Sequence, residues 1–321
     1  MWKLFQTDMP GSSYSGPFPE LTEIEREVKH RIIKHIDVLA GQIGERNIWN
    51  YKALEESVEF IESVFDNLNH EVTTQNYAVE GKVVKNLEIE LKGSSLAEEI
   101  IVIGAHYDTV FGTPGADDNA SGVATLFETA RLLSQQKFKR TLRFVAFVNE
   151  ELPFFMTENM GSRVYSRRSR QQKEKIVAMI SLESVGYYST VNGSQQYPFP
   201  LSLYYPNVGN FIAFVGNIAS KELVLQAIAS FREHTAFPSE GIAAPQWLPG
   251  IGWSDQWSFW KENYPAIMIT DTALFRYKYY HSSADTPDKL DYDCLAPVIA
   301  GLARMIADLA ERYNRLNPER F

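Results

Sequence analysis

The sequence predicts an α/β fold in which a mostly parallel central sheet is covered by helices on both faces. Short, nearly continuous apolar runs are typical of strands buried on both faces. These runs alternate with segments of helical periodicity, and parallel strands need crossover connections that are usually helices. A chain of 321 residues with 45% apolar composition is also long enough to bury a large core.

The elements are predicted in order along the chain. Residues 1–20 are rich in Pro, Gly and Ser and predict an extended N-terminal arm, while 21–321 predict one domain. Apolar residues recur at three- and four-residue steps in the predicted helices, at 21–42, 51–68, 120–135, 162–173, 221–232 and 291–313. The predicted strands are 83–91, 100–103, 142–148, 176–182 and 266–270. Segments 189–207 and 235–253 are rich in Pro with Tyr or Trp and predict pocket-lining loops.

The balance of acidic and basic residues indicates which kinds of binding partner are to be expected. The chain has 31 basic and 40 acidic residues, a formal net charge of −9. This charge opposes binding to nucleic acid or to an anionic membrane surface, so neither partner is expected. Cys294 is the sole cysteine, which excludes an internal disulfide and a thiolate metal cluster.

Export is the least determined property. The sequence as it stands has no signal-peptide pattern and no apolar run of transmembrane length, which favours a cytoplasmic protein. A secreted protein whose signal peptide had been removed would show the same pattern.

Polar residues gather where predicted strands end. His106 and Asp108 follow one strand, Glu150 and Glu151 follow a second, and Glu183 follows a third. Ligands of open α/β sheets bind at the carboxyl ends of strands, so we expect these side chains to lie together. Adjacent carboxylates repel each other, which favours either surface exposure or a shared cation.

Two further segments add candidate ligands. Asp118 lies in a Gly-flanked stretch just before a predicted helix, where it is either a metal ligand or a helix N-cap. His281 supplies a second imidazole late in the chain. Nitrogen and oxygen ligands without sulfur suit catalytic zinc, and a second glutamate beside the metal would act as a base.

These motifs resemble those of the bacterial zinc aminopeptidase family, whose relatives include glutamate carboxypeptidase, the transferrin receptor ectodomain and glutaminyl cyclase. The resemblance covers residues 21–312. Five motifs carry it in order, at 104–108, 115–122, 149–151, 181–186 and 280–288. It implies a zinc-exopeptidase-like catalytic domain, peptide substrates and two zinc ions.

The resemblance also implies individual roles. One ion would bind His106 and Glu183, the other Glu151 and His281, and Asp118 would bridge the two. Asp108 would support His106, and a cis peptide bond would follow Asp118. The family often has Asp at the position of Glu183, so exchange with another divalent ion is expected there.

The implied reaction is hydrolysis of the N-terminal residue from a peptide. Glu150 would take a proton from a water bridging the ions and return it to the leaving amine. Tyr280 would either donate a hydrogen bond to the oxyanion or simply pack in the core. The aromatic residues before His281 form either an apolar substrate pocket or a structural core; they are Trp247, Trp253, Trp257, Phe259, Trp260 and Phe275.

Three alternatives remain. A carboxypeptidase of the same fold would need a cation for the substrate carboxylate, and Arg276 is the nearest candidate in sequence. A glutaminyl-cyclase-like acyltransferase would use one zinc and no hydrolytic water, which the full ligand set argues against. A non-catalytic binding module would be expected to lack Glu150 or some ligands, whereas this sequence has all of them.

Overall fold

A computed structural model describes residues 5–312 of the chain. The α-helices are α1 Glu23–Ile36, α2 Tyr51–Asp66, α3 Gly122–Leu133, α4 Gly161–Gln171, α5 Lys221–His234, α6 Gln256–Lys261 and α7 Tyr292–Arg312. The strands are β1 Thr73–Val79, β2 Lys82–Leu91, β3 Leu96–His106, β4 Arg140–Phe147, β5 Lys175–Glu183, β6 Ile212–Asn217, β7 Ser239–Ala244 and β8 Ala266–Thr270.

The strands form one eight-stranded mixed sheet in the order β1-β2-β4-β3-β5-β8-β6-β7. The pairs β4–β3, β3–β5, β5–β8 and β6–β7 are parallel. The pairs β1–β2, β2–β4 and β8–β6 are antiparallel. The predicted α/β fold class is confirmed, and the parallel strands occupy the centre of the sheet.

The side chains of β3 point alternately to the two faces of the sheet, and the core accordingly has two layers. Ile101 and Ile103 pack into the larger apolar cluster, which contains residues of α1, α2, α3, α5 and α7. Ile100 and Val102 face the other way, into a cluster with α4 and α6. Successive side chains of a strand point to opposite faces, so this continuous apolar run needs a helical layer on each side.

The carboxyl ends of the central parallel strands meet at one edge. His106 is the last residue of β3 and Glu183 is the last residue of β5. Strand β4 lies beside β3 and ends at Phe147, three positions before Glu150. Residues that are distant in sequence are therefore delivered to one place.

Several elements differ from the sequence-based predictions. The loop prediction for 235–253 is wrong in part, because the small-residue segment Ser239–Ala244 pairs with β6 as a strand. Strands β1 and β6 and the short helix α6 were not predicted. Helix α1 ends at Ile36 and continues as a π-helical turn, Asp37–Ile43. A kinked turn, Ala116–Ser121, precedes α3, and its backbone is not helical at Asp118 and Asn119.

Residues 5–20 contain no helix or named strand, and they lie against the rest of the chain. Gln6 exchanges two backbone hydrogen bonds with Ala243 of the edge strand β7. The ring of Phe18 stacks on that of Phe237 with centroids 5.2 Å apart. The first four residues of the predicted arm, and the predicted domain end beyond residue 312, lie outside the described residues.

Among the described helices, none combines the length and the apolar character needed to cross a membrane.

Candidate metal centre

The structure brings all five predicted metal ligands together at the carboxyl edge of the sheet. They form two overlapping groups, one of His106, Asp118 and Glu183 and the other of Asp118, Glu151 and His281. Within each group, one donor atom per residue lies within 4.8 Å of the others. Asp118 belongs to both groups, so the arrangement has the shape of two adjoining cation sites.

The Asp118 carboxylate faces a different imidazole with each oxygen. Its Oδ1 lies 3.1 Å from Nε2 of His106, and its Oδ2 lies 3.0 Å from Nε2 of His281. The peptide bond from Asp118 to Asn119 is cis, as the resemblance implies. Asn119 then ties this loop to β5, since its side chain donates to the Leu182 carbonyl at 2.9 Å.

Asp108 holds the backbone of the two adjacent glutamates. Its carboxylate accepts hydrogen bonds from the backbone N–H groups of Glu150 at 3.0 Å and Glu151 at 3.1 Å. Its backbone carbonyl accepts from Nδ1 of His106 at 3.1 Å. That contact leaves Nε2 of His106 directed toward Asp118 and Glu183, the orientation a metal-binding imidazole needs.

Two serines hold the longer side chain at the Glu183 position. Ser254 donates to Oε2 of Glu183 at 2.7 Å, and Ser184 donates to its Oε1 at 3.0 Å. Oε2 also lies 3.2 Å from Nε2 of His106. The extra methylene of glutamate is thus absorbed without separating the carboxylate from the other donors.

The loop carrying Asp118 is fixed by Asp285, which lies in the predicted motif at 280–288. The Asp285 carboxylate accepts from the backbone N–H groups of Asp117 at 2.9 Å and Asp118 at 3.2 Å. The hydroxyl of Tyr277 donates to the same carboxylate at 2.8 Å. No role for Asp285 was predicted from the sequence, because its contact with Asp117 spans 168 positions of the chain and has no local signature.

Arg46 was also not predicted. Its side chain is fully buried, and its guanidinium donates to the backbone carbonyls of Tyr107 at 2.6 Å, Pro114 at 2.6 Å and Gly115 at 2.9 Å. Burial lowers the pKa of Arg46 to about 10, although Asp285 and other nearby acids oppose the shift. Arg46 therefore remains a cation at neutral pH beneath a group of carboxylates and joins the loops that precede Asp108 and Asp118.

Asp255 is a further buried acid that the sequence did not single out. It is 0% exposed, and neither carboxylate oxygen has a hydrogen-bond partner among the described residues. Burial raises its pKa to about 7, with a smaller contribution from Glu183. Its position before α6 has the sequence pattern of an ordinary helix N-cap, which explains why no signal distinguished it.

Burial and mutual charge set the protonation of the ligands. Burial lowers the pKa of His281, but the adjacent carboxylates of Asp118 and Glu151 outweigh this effect and raise the pKa to about 10. His106 behaves similarly, because Glu183 and Glu150 raise its pKa well above the ordinary value against the effect of burial. Burial would raise the pKa of Asp118, but the adjacent imidazoles of His106 and His281 lower it.

The pKa values of the two adjacent glutamates, Glu150 and Glu151, are raised, whereas that of Asp118 is lowered. Burial raises the pKa of Glu150 well above its ordinary value, and Glu151 and Glu183 add to the shift while His106 opposes it. Burial and the charge of Asp118 raise the pKa of Glu151 to about 7. The carboxyls of Glu150 and Glu151 and both imidazoles therefore hold protons more tightly than usual. Such shifts are expected where several buried carboxylates lie close together, and this environment favours a cation.

Three residues at the site have left-handed backbone conformations. Their φ angles are 59° at Asn149, 45° at Ser184 and 52° at His281. Non-glycine residues adopt positive φ only infrequently, and such positions cluster at functional sites where the surrounding structure enforces them. Here each one lies at, or directly beside, a predicted site residue.

The metal-free protein is expected to be less stable at pH 9 than at pH 6. The folded pKa of His281 is about 10 against an ordinary 6.5, so its stabilising protonation is complete below pH 6.5 and is lost toward pH 10. Glu151 acts in the same direction between pH 4.5 and about 7. Urea unfolding in chelator at the two pH values measures the difference, and a His281→Asn variant should show a smaller one. Equal stability at both pH values would contradict this protonation scheme.

An apolar cavity of about 110 Å³ adjoins the two ligand groups. Glu183 and Tyr280 lie in its lining, and the Tyr280 ring stacks on His281 with centroids 3.8 Å apart. Of the aromatic residues considered for a pocket, Trp253 and Phe275 line the cavity. Phe259 and Trp260 belong to the buried core, and Trp247 is exposed. Some of these aromatic residues therefore line a pocket and others belong to the structural core, so each of the two interpretations applies to part of the set.

Arg276, the candidate cation for a substrate carboxylate, forms hydrogen bonds outside the cavity lining. It is buried, and it donates to the Gln195 side chain at 2.8 Å and to the Phe211 carbonyl at 2.8 Å. It is not part of the cavity lining described above. The guanidinium therefore ties two loops together, and its unpartnered Nη2 is buried outside the cavity lining, away from a substrate carboxylate bound there.

The residues fit a bound cation. Within the described part of the chain, Nε2 of His106, Oδ1 of Asp118 and Oε1 of Glu151 are buried without a hydrogen-bond partner. Buried polar atoms normally have partners, and these three point into the space that the two ligand groups share. Two imidazoles and three carboxylates are also a donor set that zinc accepts.

This α/β fold and this site define a metal-dependent hydrolase, with two groups of candidate histidine and carboxylate ligands at the carboxyl edge of the sheet and a further glutamate beside them. The chain belongs to Peptidase family M28, whose model matches residues 86–306. As a member of that family it is a metallopeptidase, and its substrates are peptides.

Comparisons with known proteins agree with this membership. YfbL of Escherichia coli, an uncharacterized protein, is 39% identical over 85% of this chain and 86% of its own length. The structure of BSAP, a zinc aminopeptidase from Bacillus subtilis, superposes with a TM-score of 0.72 at 14% identity, covering 89% of this chain and 96% of BSAP. A glutaminyl cyclase from Fimbriiglobus ruber has a TM-score of 0.65 at 18% identity, covering 92% and 97%. The fold is thus found both in a zinc aminopeptidase and in a glutaminyl cyclase.

Proposed function

We propose that this protein is a di-zinc aminopeptidase that removes N-terminal residues from peptides. The observation that carries the proposal is the Asp118 carboxylate, whose two oxygens face His106 at 3.1 Å and His281 at 3.0 Å. A carboxylate shared in this way by two ligand groups is the arrangement expected of a bridging ligand. One metal would be held by His106 and Glu183 and the other by Glu151 and His281.

The bound ions would act as Lewis acids that lower the pKa of water and polarise the scissile carbonyl. Glu150 would supply the proton transfer. Its Oε2 lies 3.9 Å from Nε2 of His106, so this carboxylate stands beside the candidate metal centre, where it would accept a proton and then return it to the leaving amine. Asp108 would position Glu150 and Glu151 through their backbone N–H groups.

The end of the peptide that is recognised follows from the charges at the site. A free N-terminal amine is attracted by carboxylates, and the buried acids here outnumber the two imidazoles. A C-terminal carboxylate would instead need a cation, and Arg276 is buried outside the cavity lining. A cyclase needs only one metal, whereas a second complete group of ligands is present.

The test compares peptides that differ only at their ends. Purified protein with added zinc is expected to release the first residue from free peptides and not from N-acetylated ones. Chelation should lower the rate at least about 100-fold, since metal activation supplies several kcal/mol of transition-state stabilisation. Added zinc should restore the rate, and metal analysis should find two ions per chain.

Other outcomes would assign other functions. Cleavage of acetylated peptides from the carboxyl end would identify a carboxypeptidase. Release of ammonia from an N-terminal glutamine, without hydrolysis of other peptides, would identify a cyclase. One bound ion in a fully active protein would contradict the two-zinc proposal and leave Asp118 as an ordinary ligand.

A further inference from the structure

The floor of the cavity is a row of residues in register across four adjacent strands. Glu183 of β5 pairs with Thr270 of β8, which pairs with Ala213 of β6, which pairs with Glu240 of β7. Directly paired residues project from the same face of a sheet, and all four line the cavity. The row thus joins a predicted metal ligand at one end to a second carboxylate at the other.

The length of this row is set by the spacing of the strands. Three spacings of about 4.8 Å separate Glu183 from Glu240, about 14 Å in all. An extended lysine side chain spans roughly 6 Å, since each of its bonds is about 1.5 Å long. A residue whose carbonyl lies beside the candidate metal centre can therefore carry a cation to Glu240 only if its side chain is long.

The middle of the cavity is apolar. A second row of the same face, Met268, Val215 and Ile242, lies parallel to the first and also lines it. An apolar channel with a charge at its far end matches lysine and arginine, whose hydrocarbon stems pack on apolar surfaces while the charged tip needs a partner.

Two tyrosine rings belong to the cavity lining together with Glu240. The rings of Tyr197 and Tyr205 line it with centroids 5.7 Å apart. Their hydroxyls point away, donating to the carbonyls of Pro206 and Gly241 at 2.7 Å each. The fixed rings therefore offer their faces and edges near a carboxylate, and aromatic faces attract cations.

The Glu240 carboxylate has no salt bridge within 4 Å among the described residues. Arg232 is the nearest cation that influences it, but the Arg232 guanidinium donates to the carbonyls of Ser239, Pro10 and Gly11. Burial raises the pKa of Glu240, while Arg232 and a hydrogen bond from Ser13 lower it. A half-buried acid at the end of an apolar cavity is thus left available for a ligand's charge.

We infer that Glu240 forms the end of the side-chain pocket and selects peptides that begin with lysine or arginine, a preference that rests on the proposed aminopeptidase function. Leucine-like residues fit the apolar part of the cavity and leave Glu240 without a counter-charge. Lysine and arginine fill the same part and place a cation between Glu240 and the two tyrosine rings.

The test uses zinc-loaded protein and two series of amino-terminal substrates, one beginning with lysine and one with norleucine, which lacks the ammonium group. The ratio of kcat/KM for lysine to that for norleucine should exceed one in the wild type. Glu240→Gln should lower this ratio about 10- to 100-fold, the range for a buried hydrogen bond to a charged group. Glu233→Gln removes an exposed acid outside the cavity lining and should keep the wild-type ratio.

A second measurement separates this inference from the proposed function. Calorimetry on the Glu150→Gln background should show tighter binding of lysine amide than of norleucine amide, with the difference lost on adding Glu240→Gln. If neither substrate series is hydrolysed but this binding difference is found, the proposed function fails and the subsite stands. Equal affinity for the two amides, or a lysine preference unchanged by Glu240→Gln, would overturn the assignment of Glu240.

Discussion

Replacing Glu150 with Gln is expected to lower kcat about 10²- to 10⁴-fold, the usual contribution of a positioned acid or base. Glutamine has nearly the same size, and the backbone N–H of residue 150 still donates to Asp108. The substitution therefore removes the proton acceptor and leaves the predicted ligands in place. Steady-state hydrolysis of a free peptide with zinc in excess measures the effect.

The control is Glu158→Gln, which makes the same chemical change in the same loop region at an exposed position. Glu158 forms surface ion pairs with Arg163 and Arg167, and such pairs contribute little to stability. Metal content and unfolding should match the wild type in both variants. A Glu150→Gln enzyme that kept more than about a tenth of wild-type kcat would show that another group transfers the proton. Asp255, buried nearby with a pKa of about 7, is the group to examine in that event.

Replacing Arg46 with Met is expected to lower the free energy of unfolding by about 3–5 kcal/mol, the usual cost of removing one side of a buried charge group. The substitution leaves the carbonyls of Tyr107, Pro114 and Gly115 without their donor. It also removes the cation that faces Asp285, Asp108 and Asp118. Urea unfolding in chelator isolates this effect from metal binding.

Arg46→Lys separates charge from geometry. Lysine keeps the positive charge but cannot reproduce the planar fork that reaches several carbonyls at once, so we expect an intermediate loss of stability. Zinc affinity should fall in the same order, because Arg46 joins the loops that carry Asp108 and Asp118. A loss below about 1 kcal/mol in the methionine variant would mean that water or a neighbouring side chain takes over these hydrogen bonds.

Much of the candidate site was predictable because its residues follow apolar strands. His106 and Glu183 end two such strands, and Glu150 follows a third, so local sequence already placed them at one edge of the sheet. The residues that organise these ligands were not predictable. Arg46 contacts Tyr107 across 61 positions, and Asp285 contacts Asp117 across 168. Such pairs leave no periodicity in either segment.

The substrate cavity shows the same division. The sequence indicated that 189–207 and 235–253 contribute to a pocket, and Tyr197 and Trp253 do line the cavity. It did not reveal that Glu240 lies on a strand there. Apart from Glu240 and Ile242, Ser239–Ala244 is built of small residues, and its strand conformation comes from pairing with β6 and, at Ala243, with Gln6.

By itself, the sequence determined the fold class and the set of polar residues at the strand ends, because buried strands and amphipathic helices leave their periodicity in neighbouring residues. The family was indicated by the resemblance of five ordered motifs. Only the tertiary structure decided which oxygens of Asp118 face which imidazole, where Arg46 and Asp255 are buried, and that Glu240 lines the cavity. Those relations depend on strand order and on contacts between distant segments, and side-chain hydrogen bonds and charges act through space without regard to separation along the chain.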